Sequence, residues 1–273
     1  MALSDTEGFA PRWLALREEA DAEARATEPL ALLDGHGAFV ADLGCGTGAM
    51  GRWLVPRLSG SGRWLLIDRD PALLARAEHG FAAPVRTLKA DLDTLSPAEL
   101  DGVTLVVASA LLDLLTEEQA VHLARTVVRL GCPALFALTV SGQVEFFPAD
   151  PWDGVFAAVF DAHQRRGGRL GPDAAPLMAQ VLHGWGWRVR RFPSPWRLGP
   201  RHPELTEAWL RGRVSAAMEH DPTLPGRAYL DRHSRAHAQG LLRATVHHTD
   251  LVALPPRSAE RGGGTAAPGP TGS

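Results

Sequence analysis

Asp42 stands two residues before the first of three glycines, at 44, 46 and 48, in the run VADLGCGTGAM (40–50). Glycine lets a backbone turn approach a ligand, because no Cβ intervenes. The spacing is G-x-G-x-G and departs from the G-x-G-x-x-G of a dinucleotide turn. A carboxylate at Asp42 repels a phosphate and suits a ligand that carries an ammonium group. No Gly-Lys-Ser/Thr is present, which excludes a phosphate-binding P-loop. Cys45 inside the turn reads as a residue chosen for size, its backbone beside the ligand.

A second set of residues has the types that act on a substrate. His163 has an imidazole whose ordinary pKa lies near neutrality, as a general base requires, and Gln164 follows it. Asp113 can orient a hydroxyl or an amine. Trp152 and Phe156 lie on one stripe with Phe160. Trp196 and Arg197 sit in the Pro-braced PSPWRLGPRHP (193–203) and have the chemistry to stack on and clamp a planar acid. The alternative readings are a packed or capping His163, an Asp113 without a substrate, and lid packing for Trp196 and Arg197. His233 and His237 share a helix face, yet two histidines are short of a metal site, so solvated surface and no metal are expected.

These residues need elements to hold them. Short apolar runs predict strands at 38–43, 63–68, 84–89, 103–109 and 133–140, alternating with helices at 47–58, 71–79 and 116–130. That alternation implies a doubly wound α/β fold with a seven-stranded, mostly parallel sheet. Such sheets bind ligands at the carboxyl ends of their strands. Before it, 9–26 reads as an amphipathic helix carrying Phe9, Trp13, Leu14 and Leu16, with a short helix at 28–34. After it come helices at 150–166, 173–184, 204–219 and 226–239, and strands at 187–192 and 241–253. The expected organisation is a helical cap (1–36), a main domain (37–254) with helical insertions at about 145–172 and 196–240, and a disordered Gly/Pro-rich tail (255–273).

Composition narrows the partners. The chain has 273 residues, 45% hydrophobic, and a net charge of −3. Lys89 is its single lysine, an arginine bias that matches a high-GC bacterial coding sequence. No clustered basic face points to nucleic acid. Cys45 and Cys132 are too few for a disulfide framework or zinc cluster. No signal peptide or spanning run is apparent. A cytoplasmic protein is expected, a monomer or homodimer, without nucleic-acid or membrane partners.

VADLGCGTG resembles motif I of the class I S-adenosylmethionine-dependent methyltransferases, of the bacterial small-molecule type, and the resemblance covers 38–140. It implies S-adenosylmethionine as cofactor and S-adenosylhomocysteine as product. It places Asp42, Gly44, Cys45, Gly46 and Gly48 around the cofactor. Asp68 then takes both ribose hydroxyls, two acceptor oxygens facing two donors, with Arg69 beside it. Asp91 meets the adenine amino group, with Leu92 nearby, and Ser109 with Ala110 lines the methyl-transfer channel. An N-terminal helix caps the cofactor in such proteins, so Arg17 is the expected partner of the methionine carboxylate. ASALLD after the fourth strand lacks the Asn/Asp-Pro-Pro-Tyr/Phe of DNA amino-methyltransferases. The Cys132-Pro133 pair is the reverse of the cytosine-C5 nucleophile motif and precedes strand five. The expected activity is methyl transfer to a small molecule in a lidded pocket. A non-catalytic cofactor-binding subunit of the same fold stays open. An NAD-dependent oxidoreductase is opposed by the glycine spacing and by Asp42.

Overall fold

The apolar runs become parallel strands because both faces of each are covered. β1 (Phe39–Leu43) sends Val40 into one core and Ala41 and Leu43 into the other. β2 (Arg63–Asp68) divides Leu66 from Leu65 and Ile67 in the same way. Such strands carry no polar face, which is why they read as unbroken hydrophobic stretches. Each Leu or Ile so buried contributes ~1.5–3 kcal/mol.

The computed structural model describes residues 11–256. β3 (Val85–Lys89), β4 (Leu105–Ser109), β5 (Ala134–Phe147), β6 (Arg188–Pro193), β7 (Trp196–Leu198) and β8 (Arg243–Leu254) complete one sheet. Its order is β3-β2-β1-β4-β5-β8-β6, with β7 paired to β8. β8 is the strand that runs against its neighbours. The fold is thus the mostly parallel α/β sheet expected, with eight strands among the described residues instead of seven. The extra one, β7, spans three residues inside the Pro-rich segment read as a connector. β5 also runs seven residues past its expected end at 140, bending at register shifts between Phe136 and Thr139 and between Val140 and Val144. Sheet order reverses between β1 and β4, so a crevice opens at their carboxyl ends.

Helices α3 (Ala49–Leu54) and α4 (Pro71–Ala77) cover one face of the sheet. α5 (Glu117–Leu130) and α7 (Ala174–Gly184) cover the other. α3 stops well before 58 because Pro56 has no N–H to donate, and the chain tightens into a 3-10 turn at 55–57. α5 keeps its expected span: Thr116 and Gln119 form a reciprocal capping box, and Gly131 ends it at φ +65°.

A third core sits above the strand ends. α6 (Asp153–Gln164), α8 (Pro203–His220) and α9 (Gly226–Ala238) pack Phe156, Trp209 and Tyr229 against Trp196 and Val246 of the projecting strands. His233, expected on a solvated face, is 2% exposed; its Nε2 lies 3.1 Å from Asp153 Oδ1 and its ring 4.5 Å from that of Phe146. α1 (Pro11–Ala24) and α2 (Leu30–Leu33) precede β1. α1 is tied down by polar contacts more than by an apolar stripe: Arg52 of α3 donates to Glu18 at 2.8 Å, and Trp196 Nε1 donates to Asp21 at 2.9 Å. Phe9, the start of the expected first helix, and 257–273 of the expected tail lie outside the described residues. No helix among the described residues is long and apolar enough to cross a membrane.

Candidate active site

The glycine turn leaves β1 and folds back on β2. Cys45 N–H donates to the Ile67 carbonyl at 2.9 Å, and Gly46 N–H donates to Asp68 Oδ2 at 2.9 Å. Gly46, at φ +54°, turns its N–H onto that carboxylate, a backbone region that a side chain would disfavour. Asp70 N–H donates to Asp68 Oδ1 at 2.9 Å. Each Asp68 oxygen keeps a second lone pair, so the acid is fixed in place and still able to accept two hydroxyls.

A cleft of about 360 Å³ lies along the carboxyl ends of β1–β4. Asp42, Gly44, Cys45 and Gly46 form its floor, with Asp68 and Arg69 at the end of β2. Asp91, Leu92 and Ser109 close the far side, and Arg17 stands over it from α1. Gly48 is the exception among the expected cofactor residues. It does not line the cleft; a Cβ there would stand 2.8 Å from the Ala77 carbonyl oxygen, so this glycine serves the close approach of α4.

The charged groups in the cleft are buried and incompletely paired. Asp42 is 0% exposed, and neither carboxylate oxygen has a hydrogen-bond partner. Burial pushes its pKa up to about 7, against the pull of Arg25; the Gly51 N–H lowers it a little without reaching hydrogen-bond geometry. Arg25 is equally buried. Its Nη2 donates to Ser109 Oγ at 3.2 Å and lies 3.9 Å from Asp21 Oδ2, while Nε and Nη1 have no hydrogen-bond partner. Desolvation holds its pKa below the usual guanidinium value. Arg17, the expected carboxylate anchor, is already held by Asp21 through Nε and Nη2 at 2.9–3.2 Å. Arg25 is therefore the arginine with donors to spare, and sequence reasoning missed it. Its signal was the run Arg17, Asp21, Arg25 at four-residue steps, one face of a helix. Buried charges of both signs with hydrogen bonds unmade are costly unless a ligand completes them. An α-amino acid end group would do so, with its carboxylate at Arg25 and its ammonium at Asp42. The residues present thus fit S-adenosylmethionine.

The cleft opens into a second chamber of about 220 Å³ beneath α6 and α8. Arg17, Ala110, Leu114 and Arg169 line both. Ala110 sits at the junction with φ +51°, a backbone strain placed where two ligands would meet. Asp113, His163, Gln164 and Trp196 line the chamber, as do Asp161 and Arg213, which the sequence did not single out. Asp113 Oδ1 has no hydrogen-bond partner, and burial raises its pKa to about 6. His163 Nε2 lies 3.4 Å from Glu219 Oε2, and desolvation lowers its pKa.

Three expected substrate residues do not reach the chamber. Phe156 is 0% exposed and stacks on Tyr229 at 4.0 Å, inside the lid core. Trp152 precedes α6 and is 39% exposed. Arg197 alternates with buried Trp196 and Leu198 along β7, so the pleat turns it outward. Among the described residues no cluster of three or more His, Cys, Asp or Glu has metal-site geometry.

A family model described as a methyltransferase domain matches residues 40–133. Over that span, about a third of the chain, the sequence is similar to a methyltransferase domain. That domain spans the glycine turn, Asp68, Asp91 and Asp113, and ends at the start of β5; α1 and the lid helices lie outside it. No curated protein sequence matches the chain. Solved structures that resemble it include the YcgJ protein of Bacillus subtilis, at 13% identity over 92% of this chain and 100% of that one, TM-score 0.48. Another is a methyltransferase from Bacillus halodurans whose assignment is provisional, at 10% identity over 83% and 96%, TM-score 0.49. A third is a cyclopropane-fatty-acyl-phospholipid synthase-like protein from Lactobacillus casei, at 15% over 90% and 94%, TM-score 0.49. Likeness at this level bears on neither substrate nor reaction.

Proposed function

We propose that this methyltransferase domain binds S-adenosylmethionine in the strand-end cleft and methylates a small molecule held in the adjoining chamber. The observation that carries the reading is the junction: Arg17, Ala110, Leu114 and Arg169 line two cavities at once, one with paired-charge donors and acceptors, the other walled by apolar rings. Two ligands held end to end replace a bimolecular encounter with a positioned one.

When bound, S-adenosylmethionine supplies a methyl carbon activated by a positively charged sulfur, which leaves as the neutral thioether of S-adenosylhomocysteine. The protein then needs few chemical groups. Arg25 and Asp42 hold the amino-acid end, Asp68 the ribose hydroxyls and Asp91 the adenine edge. Asp113, between Leu112 and the shared Leu114, accepts a hydrogen bond from the acceptor's hydroxyl or amine and takes its proton as the new bond to carbon forms. A carboxylate whose pKa is raised toward 6 is ionised at neutral pH and a better base than an ordinary one. His163 touches only the chamber, and its place beside Glu219 suits shaping the lid side of the acceptor site. α1, α6 and α8 exclude water. The acceptor is a small molecule and not nucleic acid, supported by the net charge of −3 and the small volume of the chamber, about 220 Å³.

The test is release of S-adenosylhomocysteine over a panel of hydroxylated and aminated metabolites, with calorimetry of cofactor binding alongside. Turnover with any of them supports the reading. Binding without turnover across the panel leaves a non-catalytic cofactor-binding module. Preference for NADH over S-adenosylmethionine overturns both.

A further inference from the structure

Buried polar atoms without partners are rare in folded proteins, and each one asks for an explanation. Here they concentrate. Asp113 Oδ1, Asp161 Oδ1, Gln164 Oε1, Arg213 Nε and Nη2, and His248 Nδ1 all lack partners, and all five residues line the second chamber.

Arg213 of α8 is the most informative. It is 5% exposed, lies over Phe160 at 4.5 Å and Trp209 at 5.7 Å, and has no ion-pair partner for its Nε/Nη2 edge. That edge has a known use in this chain. Arg17 holds Asp21 with Nε and Nη2, Arg165 holds Asp173 with the same two atoms, and Arg232 holds Asp150 likewise. Side-on, bidentate carboxylate binding is what the guanidinium fork is shaped for. Two acids act on Arg213: Asp161, in the same chamber, makes no hydrogen bond or ion pair with it, and Asp153 is already engaged by Tyr229 and His233. What that edge lacks is a carboxylate within hydrogen-bond reach, which a ligand would bring.

The walls say what carries that charge. Trp13, Phe160, Trp196 and Trp209 present flat apolar surface. Asp113 brings an unpaired acceptor to the same chamber, three residues from the shared Ala110. We propose that the chamber takes a small aromatic carboxylate, its acid group held bidentately by Arg213 and its hydroxyl or amine presented to Asp113 at the cleft junction. The inference rests on the methyl-transfer reading for the identity of the reacting end. The acid anchor is independent of it.

The experiment titrates the full chain, without cofactor, with 3-hydroxybenzoate, 4-hydroxybenzoate and 4-aminobenzoate and with their neutral methyl esters. Binding is read by calorimetry and by fluorescence of the lining tryptophans. At least one acid is expected to bind at least tenfold more tightly than its ester. Arg213→Gln is expected to bring that ratio to about one, and Arg213→Lys to keep part of it. Thermal melts check folding, and where the Gln variant does not fold, the Lys variant and the acid-to-ester ratio of the unaltered protein decide. Esters binding as well as acids, no binding of either, or an unchanged ratio in a folded Arg213→Gln variant overturns the proposal. S-adenosylhomocysteine titrated into the same samples separates the two failures: cofactor binding with no acid preference refutes the anchor alone, and no cofactor binding refutes the methyl-transfer reading.

Discussion

Replacing Asp42 with asparagine tests whether a buried, ligand-seeking carboxylate sits under the glycine turn. In the folded protein its pKa is about 7, above the ordinary carboxylate value of 3.8. The sign follows directly. Between those values the unfolded chain has lost the proton and the folded chain keeps it. Stability therefore falls as pH rises, and the full loss is present above pH 7. At about 1.36 kcal/mol per tenfold change in proton affinity, the drop from pH 5 to pH 8 is ~3 kcal/mol. The asparagine variant has no proton to lose at this position, so its pH-independent cost, from an amide in place of a carboxyl, cancels between the two pH values. Urea melts of the two proteins at pH 5, 6, 7 and 8 give the difference. The Asp42→Asn variant should gain ~3 kcal/mol on the unaltered protein as pH rises across that range, while binding S-adenosylmethionine more weakly. Parallel pH profiles for the two proteins would refute the reasoning, because Asp42 would then ionise as an ordinary carboxylate.

Other perturbations address separate links. Gly48→Ala adds a Cβ 2.8 Å from the Ala77 carbonyl at φ +81°; a loss of ~2 kcal/mol or more is expected in urea melts. A neutral effect would remove Gly48 from the packing role given to it. For the acid–base role, kcat/KM should rise with pH through an apparent value near 6 and level off. Asp113→Asn should abolish that limb along with most of the rate, and His163→Ala should keep it; the opposite pattern would move the base to His163.

The strands and the glycine turn were legible because their signals are local. Apolar runs of five or six residues, a helix period between them and the acids at strand ends all lie within short windows. The eight-stranded outcome was not legible at β7, where three residues between prolines pair with β8 only because α1 and α8 hold Trp196 and Leu198 in place. The strand expected to stop at 140 runs on past Gly142, at φ +80°, and pairing resumes at Val144. The polar half of the site is long-range. Arg25 reaches Ser109 across 84 positions, and Trp196 reaches Asp21 across 175. Asp250 takes hydrogen bonds from Leu138 N at 2.7 Å and Ala26 N at 2.9 Å, joining the chamber's strained Leu138, at φ +55°, to the end of the cap. Spacing along the chain contains nothing of such contacts. Phe156 and Trp152 show the converse: aromatic residues on a helical stripe near a site, one spent in the core and the other left at the surface.

The central claim is that the cleft above Asp42 and Asp68 accepts a sulfur nucleoside with an amino-acid tail. Calorimetric titration of S-adenosylhomocysteine into the unaltered protein and Asp68→Ala tests it most directly. The account predicts one site per chain, weakened by ~1.5–3 kcal/mol when the carboxylate is lost. Equal affinity in the two proteins, or no heat beyond dilution in either, would contradict it.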